Sequence, residues 1–146
     1  MNTIFCYFAI EPEVAGGFGD STEMDHTKSP PEVLRLEYRM DGWLGDPILE
    51  TFPCYIITEE TAEELRIKGL SGFYFDDVAV TFSETFTEVY PDKAVPNFKW
   101  MKITGKPGID DAFISIDNIL VISKDLLEIL QSYGMKNADV EEHHDS

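Results

Sequence analysis

Histidine and cysteine are both scarce in this chain of 146 residues, with three of the first and two of the second. His26 stands alone, and His143 and His144 sit together in a polar stretch. No Ser/His/Asp or Cys/His arrangement is therefore supported, and no four-ligand zinc spacing exists. Cys6 and Cys54 each lie in an apolar run, which predicts buried free thiols. They could form one bridge, but nothing in their setting demands it. No apolar run approaches the roughly 18 residues that suggest a membrane span. No basic leader precedes a hydrophobic stretch, so the expectation is a cytoplasmic protein that does not engage membrane. Cations are also few: 11 Lys and Arg against 28 Asp and Glu, a formal net charge of -17. Such a field repels nucleic acid and anionic lipid and speeds encounter with basic partners. Gly16-Gly17-Phe18-Gly19 lacks the Lys and Ser/Thr of a phosphate loop, and Glu11, Glu13 and Asp20 around it would repel phosphate. No cofactor is expected.

What is abundant is aromatic and apolar: 10 Phe, 6 Tyr and 2 Trp within a 43% hydrophobic chain. Disorder pairs high charge with few aromatics, so this composition specifies a folded chain. The pattern predicts a single α+β domain, residues 1–146, with a mixed or antiparallel sheet and two or three short helices. Residues 3–10 read as a central strand. Residues 11–31, rich in Gly, Pro and Asp, read as a mobile loop. Residues 32–40 alternate as one half-buried strand, and Asp41-Gly42 marks a turn. Ile48 and Leu49 suggest a short strand. Residues 54–57 are a fully apolar strand, and Thr58 caps a helix that Gly69 stops. Residues 71–80 fit two strands joined at Asp76-Asp77 or one bulged strand. Ser83 caps a short helix over 84–90.

Residues 96–135 are the most regular part. Trp100, Met101 and Ile103 mark a strand, residues 105–108 a turn, and Phe113, Ile114 and Ile116 a second strand opened by Asp110 and Asp111. Residues 119–122 form a continuous apolar strand. Ser123 caps a helix with Leu126, Leu127, Leu130 and Tyr133, and Gly134 ends it. Residues 136–146 read as a frayed tail, with at most a last strand at 138–140.

Residues 58–70 and 123–135 align without a gap at an offset of 65. The same offset carries Ile56 and Ile57 onto Val121 and Ile122, and Asp46 onto Asp111. This suggests two strand-strand-strand-helix units, near 33–70 and 98–135.

The acidic pairs Asp76-Asp77 and Asp110-Asp111 are the remaining candidates for chemistry. Each could serve a hard cation or a carboxylate dyad, although adjacent strand residues point to opposite faces. As turn residues they could equally be solvated. A third reading is recognition, in which carboxylates beside aromatic anchors such as Trp43 meet Arg and Lys of a partner. Trp100, within a strand, reads as core.

The order GLSGFYFDDVAVTFSETF, VPNFKWMKITGKPGIDDAFIS and ILVISKDLLEILQSYGM resembles the immunity proteins of bacterial polymorphic toxin systems. The motif positions are Gly69, Gly72 and Phe73; Pro96, Phe98 and Gly105; Asp111; and Ile119 to Ser123. The resemblance covers roughly residues 54 to 135. It implies a small cytoplasmic protein that binds and neutralises a cognate toxin, without catalysis, but transfers no contact residue. A basic toxin domain would suit the charge. The expected contact face carries Asp76, Asp77, Asp110, Asp111 and Trp43. The rival expectations are a hydrolase or metal-dependent enzyme using an acidic pair, with a deep pocket and raised carboxylates, and a small-ligand sensor with a cavity under residues 11–31.

Overall fold

The computed structural model describes residues 6–143. In chain order the elements are β1 (Tyr7–Glu11), β2 (Gly16–Phe18), β3 (Glu23–Asp25), β4 (Glu32–Arg35), β5 (Glu37–Met40), β6 (Ile48–Thr51), β7 (Cys54–Thr58), α1 (Glu59–Ile67), β8 (Phe73–Asp76), β9 (Ala79–Phe82), α2 (Glu84–Val89), β10 (Phe98–Ile103), β11 (Ala112–Ile114), β12 (Leu120–Ser123), α3 (Lys124–Ser132) and β13 (Asp139–His143). The class is α+β, with three helices among the described residues.

Two four-stranded antiparallel sheets carry the architecture. One has the order β11-β12-β1-β13, the other β6-β7-β10-β8. A three-stranded sheet, β2-β5-β9, pairs β5 and β9 in parallel, and β3-β4 form a two-stranded ribbon. The uninterrupted apolar runs of β7 and β12 follow from burial on both faces. The core between the large sheets takes Ile10, Leu120 and Ile122 from one, Ile57 and Met101 from the other, and Leu65, Leu126 and Leu130 from α1 and α3. The opposite face of β7 and β10 supplies Ile56, Phe98 and Trp100 to a second core with Tyr38, Met40 and Phe86. Trp100 is thus core, as its strand position predicts.

The helices begin and end on local signals. Thr58, Ser83 and Ser123 accept from the N–H three residues on, at 3.3, 3.1 and 3.3 Å; such caps contribute about 1 kcal/mol each. Gly69 and Gly134 follow α1 and α3 at φ +70° and +99°, where a side chain would be strained.

α1 and α3 coincide residue for residue at the offset of 65, and the hairpins β6–β7 and β11–β12 precede them. The first strand expected in each unit is placed differently. Beside β7 lies β10, from the later part of the chain, and beside β12 lies β1, from the earlier part. β8 and β13 then close the two sheets in equivalent places.

Several local expectations change. Residues 32–40 form two strands in different sheets, the ladder breaking at buried Leu36 and leaving Leu34 58% exposed. Residues 11–31 carry the end of β1 together with β2 and β3. Residues 73–82 are two strands, but β8 and β9 join different sheets rather than pairing. Ile116 is 97% exposed, beyond the end of β11. Residues 139–143 pair with β1 as β13, so the acidic tail is ordered by a ladder there. Cys54 is buried and Cys6 exposed. Residues 3–5 of the first predicted strand and 144–146 of the tail lie outside the described residues.

Candidate functional site

The acidic pairs named from sequence occupy opposite ends of β8. At its far end Asp76 lies 3.5 Å from Lys102 Nζ, and Asp77 3.2 Å from Lys99 Nζ. Lys102 also lies over the Trp100 and Tyr74 rings, at 4.2 and 5.4 Å from their centroids. These carboxylates are therefore matched within the chain. Before β8, Ser71 donates its N–H to Asp111 Oδ2 at 2.9 Å, and the Ser123 hydroxyl donates to Asp111 Oδ1 at 2.8 Å. Asp110 Oδ2 accepts from the Lys106 N–H at 2.6 Å. That N–H, the Ser71 hydroxyl and the Lys106 charge hold the Asp110 carboxyl below its ordinary range. Half-buried Trp43 faces inward. Its Nε1 donates to the Asp46 carbonyl at 2.9 Å, and its ring stands edge-on to Phe98 at 6.1 Å. All five residues named from sequence make contacts within the chain, and Asp76 and Asp77 stay exposed while doing so.

Four further carboxylates share a surface cleft. A cleft of about 650 Å³ opens where the chain leaves β1 and passes to β6. Glu11 ends β1, Glu13 follows it, Glu50 projects from β6, and Asp139 starts β13; all four line the cleft. No Lys or Arg lies within ion-pairing distance of any of them among the described residues. Glu11 and Asp139 are direct partners across the β1–β13 ladder, a like-charge pairing that costs stability. The rim is apolar. Val14, Leu44 and Phe52 are 66, 68 and 50% exposed.

The walls are fixed from behind. Glu13 and Leu49 form a parallel bridge, and the Glu50 N–H donates to the Glu13 carbonyl at 2.9 Å. Fully buried Tyr38 accepts from the Ala15 N–H at 2.9 Å and donates to the Glu50 carbonyl at 3.1 Å. Burial pushes the Tyr38 phenol up to about 12, so it remains a neutral crosspiece between the two walls. Burial also pushes the Glu13 and Glu50 carboxyls above their ordinary values. At Glu13 the Leu44 N–H and the Lys93 charge oppose that shift and the Asp46 charge adds to it; at Glu50 the Glu11 charge reinforces it. Glu13 Oε2 takes the Leu44 N–H at 3.1 Å, while Oε1 is buried and has no hydrogen-bond partner among the described residues.

Chemically, the cleft can hold a cation by charge and a flanking apolar group by contact. Among the described residues, no group of three or more His, Cys, Asp or Glu side chains is placed to hold a metal ion. His26 is exposed beyond β3, whereas burial pushes the Cys54 thiol up to about 12, which leaves it inert as a nucleophile. No helix among the described residues is long and apolar enough to cross a membrane. No protein-family model matches the chain, and no curated protein matches it.

Sequence reasoning named none of the cleft residues as a site: Glu11 and Glu13 entered only as acids that repel phosphate, and Glu50, Phe52 and Asp139 drew no notice. Glu50 follows Ile48 and Leu49 as an ordinary polar strand position, and Asp139 lies in a tail without apolar periodicity. The one available signal was the row of acids at Glu11 and Glu13, directly after an apolar strand.

Proposed function

We propose that this chain is a non-catalytic protein-binding module of the immunity type, which neutralises a basic toxin domain by covering its active surface. One observation carries the reading: the cleft sets four carboxylates, none within ion-pairing distance of a Lys or Arg among the described residues, beside three exposed apolar side chains. Charge gives such a surface its rate of encounter, and apolar anchors hold the complex. The net charge of -17 and the resemblance to immunity proteins point the same way. Among the described residues, six of the eleven cations are engaged in ion pairs within the fold, so the excess negative charge is left for a partner.

The test is inhibition. Basic toxin domains of polymorphic systems are mixed with the chain, and their activity and association rates are followed at low and high salt. A cognate domain loses activity at one-to-one stoichiometry and associates more slowly in salt. If no domain is bound or inhibited, the reading fails.

A second reading has its own observation. Glu13 and Glu50 share the cleft, and burial raises both carboxyls, which favours the protonated form a general acid needs. Turnover of a glycoside or ester panel that Glu13→Gln and Glu50→Gln each abolish would establish this alternative.

A further inference from the structure

We infer that the cleft seats an arginine side chain of the partner, carried on an extended segment whose apolar neighbours lie against Val14, Leu44 and Phe52. This inference rests on the protein-binding reading and names the chemistry of its contact.

Four features converge on it. First, Glu11, Glu13, Glu50 and Asp139 line one cleft, and no Lys or Arg lies within ion-pairing distance of them among the described residues, so its charge complements a cation from outside. Second, Glu11 faces Asp139 directly across the ladder, and a cation between them turns a repulsion into an attraction. Third, the carboxylates stand on separate elements: β1, the segment after it, β6 and β13. A planar guanidinium, with five donors fixed in a fork, can serve two walls at once, whereas an ammonium is a compact and strongly hydrated charge. Fourth, Phe52 is half exposed at the rim, where it offers a ring face to a guanidinium or an apolar surface to its stem. The cleft, at about 650 Å³, exceeds one side chain and has room for the segment that carries it.

The probe is the blocked peptide Ac-Leu-Arg-Leu-Arg-Leu-NH₂, titrated into the isotope-labelled chain and followed by NMR. Saturable, salt-sensitive shifts are expected at the amides of Glu13, Leu44, Glu50 and Phe52. The citrulline counterpart keeps the shape and loses the charge, and should bind at least about tenfold more weakly; the lysine counterpart should fall between. Glu50→Gln and Phe52→Ser, each checked for native amide dispersion, should both weaken the arginine peptide. Equal binding of the citrulline peptide, binding of lysine as tight as arginine, or shifts confined to other surfaces would each overturn the inference. The two levels separate cleanly. A toxin domain bound at full affinity by both variants sinks the cleft inference and spares the binding reading. A peptide seated as expected by a chain that inhibits no toxin domain sinks the immunity reading and spares the cleft.

Discussion

Asp46 and Asp111 hold matching places in the two halves, and each ties down the chain beyond the other half's helix. Asp46, ahead of β6, accepts the N–H groups of Lys136 and Asn137 at 3.1 and 2.8 Å, and the Asn137 side-chain amide at 2.8 Å. Asp111, ahead of β11, accepts the N–H of Ser71 at 2.9 Å. Ser71 and Lys136 each lie two residues past a helix-stopping glycine and correspond at the offset of 65. The clamps are therefore reciprocal. Each carboxylate accepts three bonds, but Asp46 is 1% exposed and Asp111 only half-buried, so Asp46→Ala should cost about 3 kcal/mol and Asp111→Ala about 1–2 kcal/mol. Urea unfolding of both variants checks the order; equal losses would deny Asp46 its larger share.

Gly105 is required for space. A Cβ there would lie 1.8 Å from the Ala112 carbonyl oxygen and 2.8 Å from the Gly72 Cα. Backbone cannot yield as a side chain can, so Gly105→Ala should cost about 2 kcal/mol or more. Gly17→Ala, where a Cβ meets nothing within 4 Å, is the control and should fall within about 0.5 kcal/mol of wild type. Thermal unfolding of the pair distinguishes crowding from a general loss of glycine.

Glu37 sets part of the acid limb of stability. The Ser21 hydroxyl, the Thr81 hydroxyl and the Ser21 N–H hold its carboxyl down to about 2 from an ordinary 4.5. A lowered folded-state value means that the ionised form is favoured by folding. Its contribution is complete above about pH 4.5 and is lost as pH falls towards 2. Glu37→Gln should therefore be less stable than wild type at neutral pH, and the difference should shrink across that window. A difference independent of pH would remove Glu37 from the acid transition.

The cleft should trade stability for binding. Burial raises the Glu50 carboxyl, so its ionised form is disfavoured by folding and its cost is present above its titration range. Glu50→Gln should unfold at higher temperature than wild type at pH 7, with the advantage fading as the medium is acidified. Asp139→Asn, which relieves the repulsion with Glu11, should add about 0.5 kcal/mol. Both changes should weaken a basic partner. Lower stability in both variants would show that these acids serve the free fold.

Legibility from sequence followed the range of the interaction. β7, β12, α1 and α3 were readable because an apolar run, a Thr or Ser cap and a glycine stop are all local signals. The break at Leu36 was not, because residues 32–40 keep their alternation in the sequence while the chain changes sheet. The neighbours of β7 and β12 were not readable either, since period-two alternation names a buried face without naming a partner. The acidic pairs drew notice by adjacency, yet Lys99, Lys102, Ser71 and Lys106 meet them from distant or turn positions. Glu50 and Asp139 come together with Glu11 only through the pairing of β1 with β13 and the bridge from Glu13 to Leu49.

The interleaving of β1 and β10 imposes an order on synthesis. The sheet that holds β7 can close once β10 is made, but β1 must wait on the order of a hundred residues for its partners β12 and β13. Until then an apolar strand stands with both edges bare, the state most prone to pairing with another nascent chain. Pulse-labelled hydrogen exchange during refolding should find Ile56 and Met101 protected before Ala9 and Ile10. The protein would thus pass through a stage in which half of its architecture is finished and the other half is a waiting template.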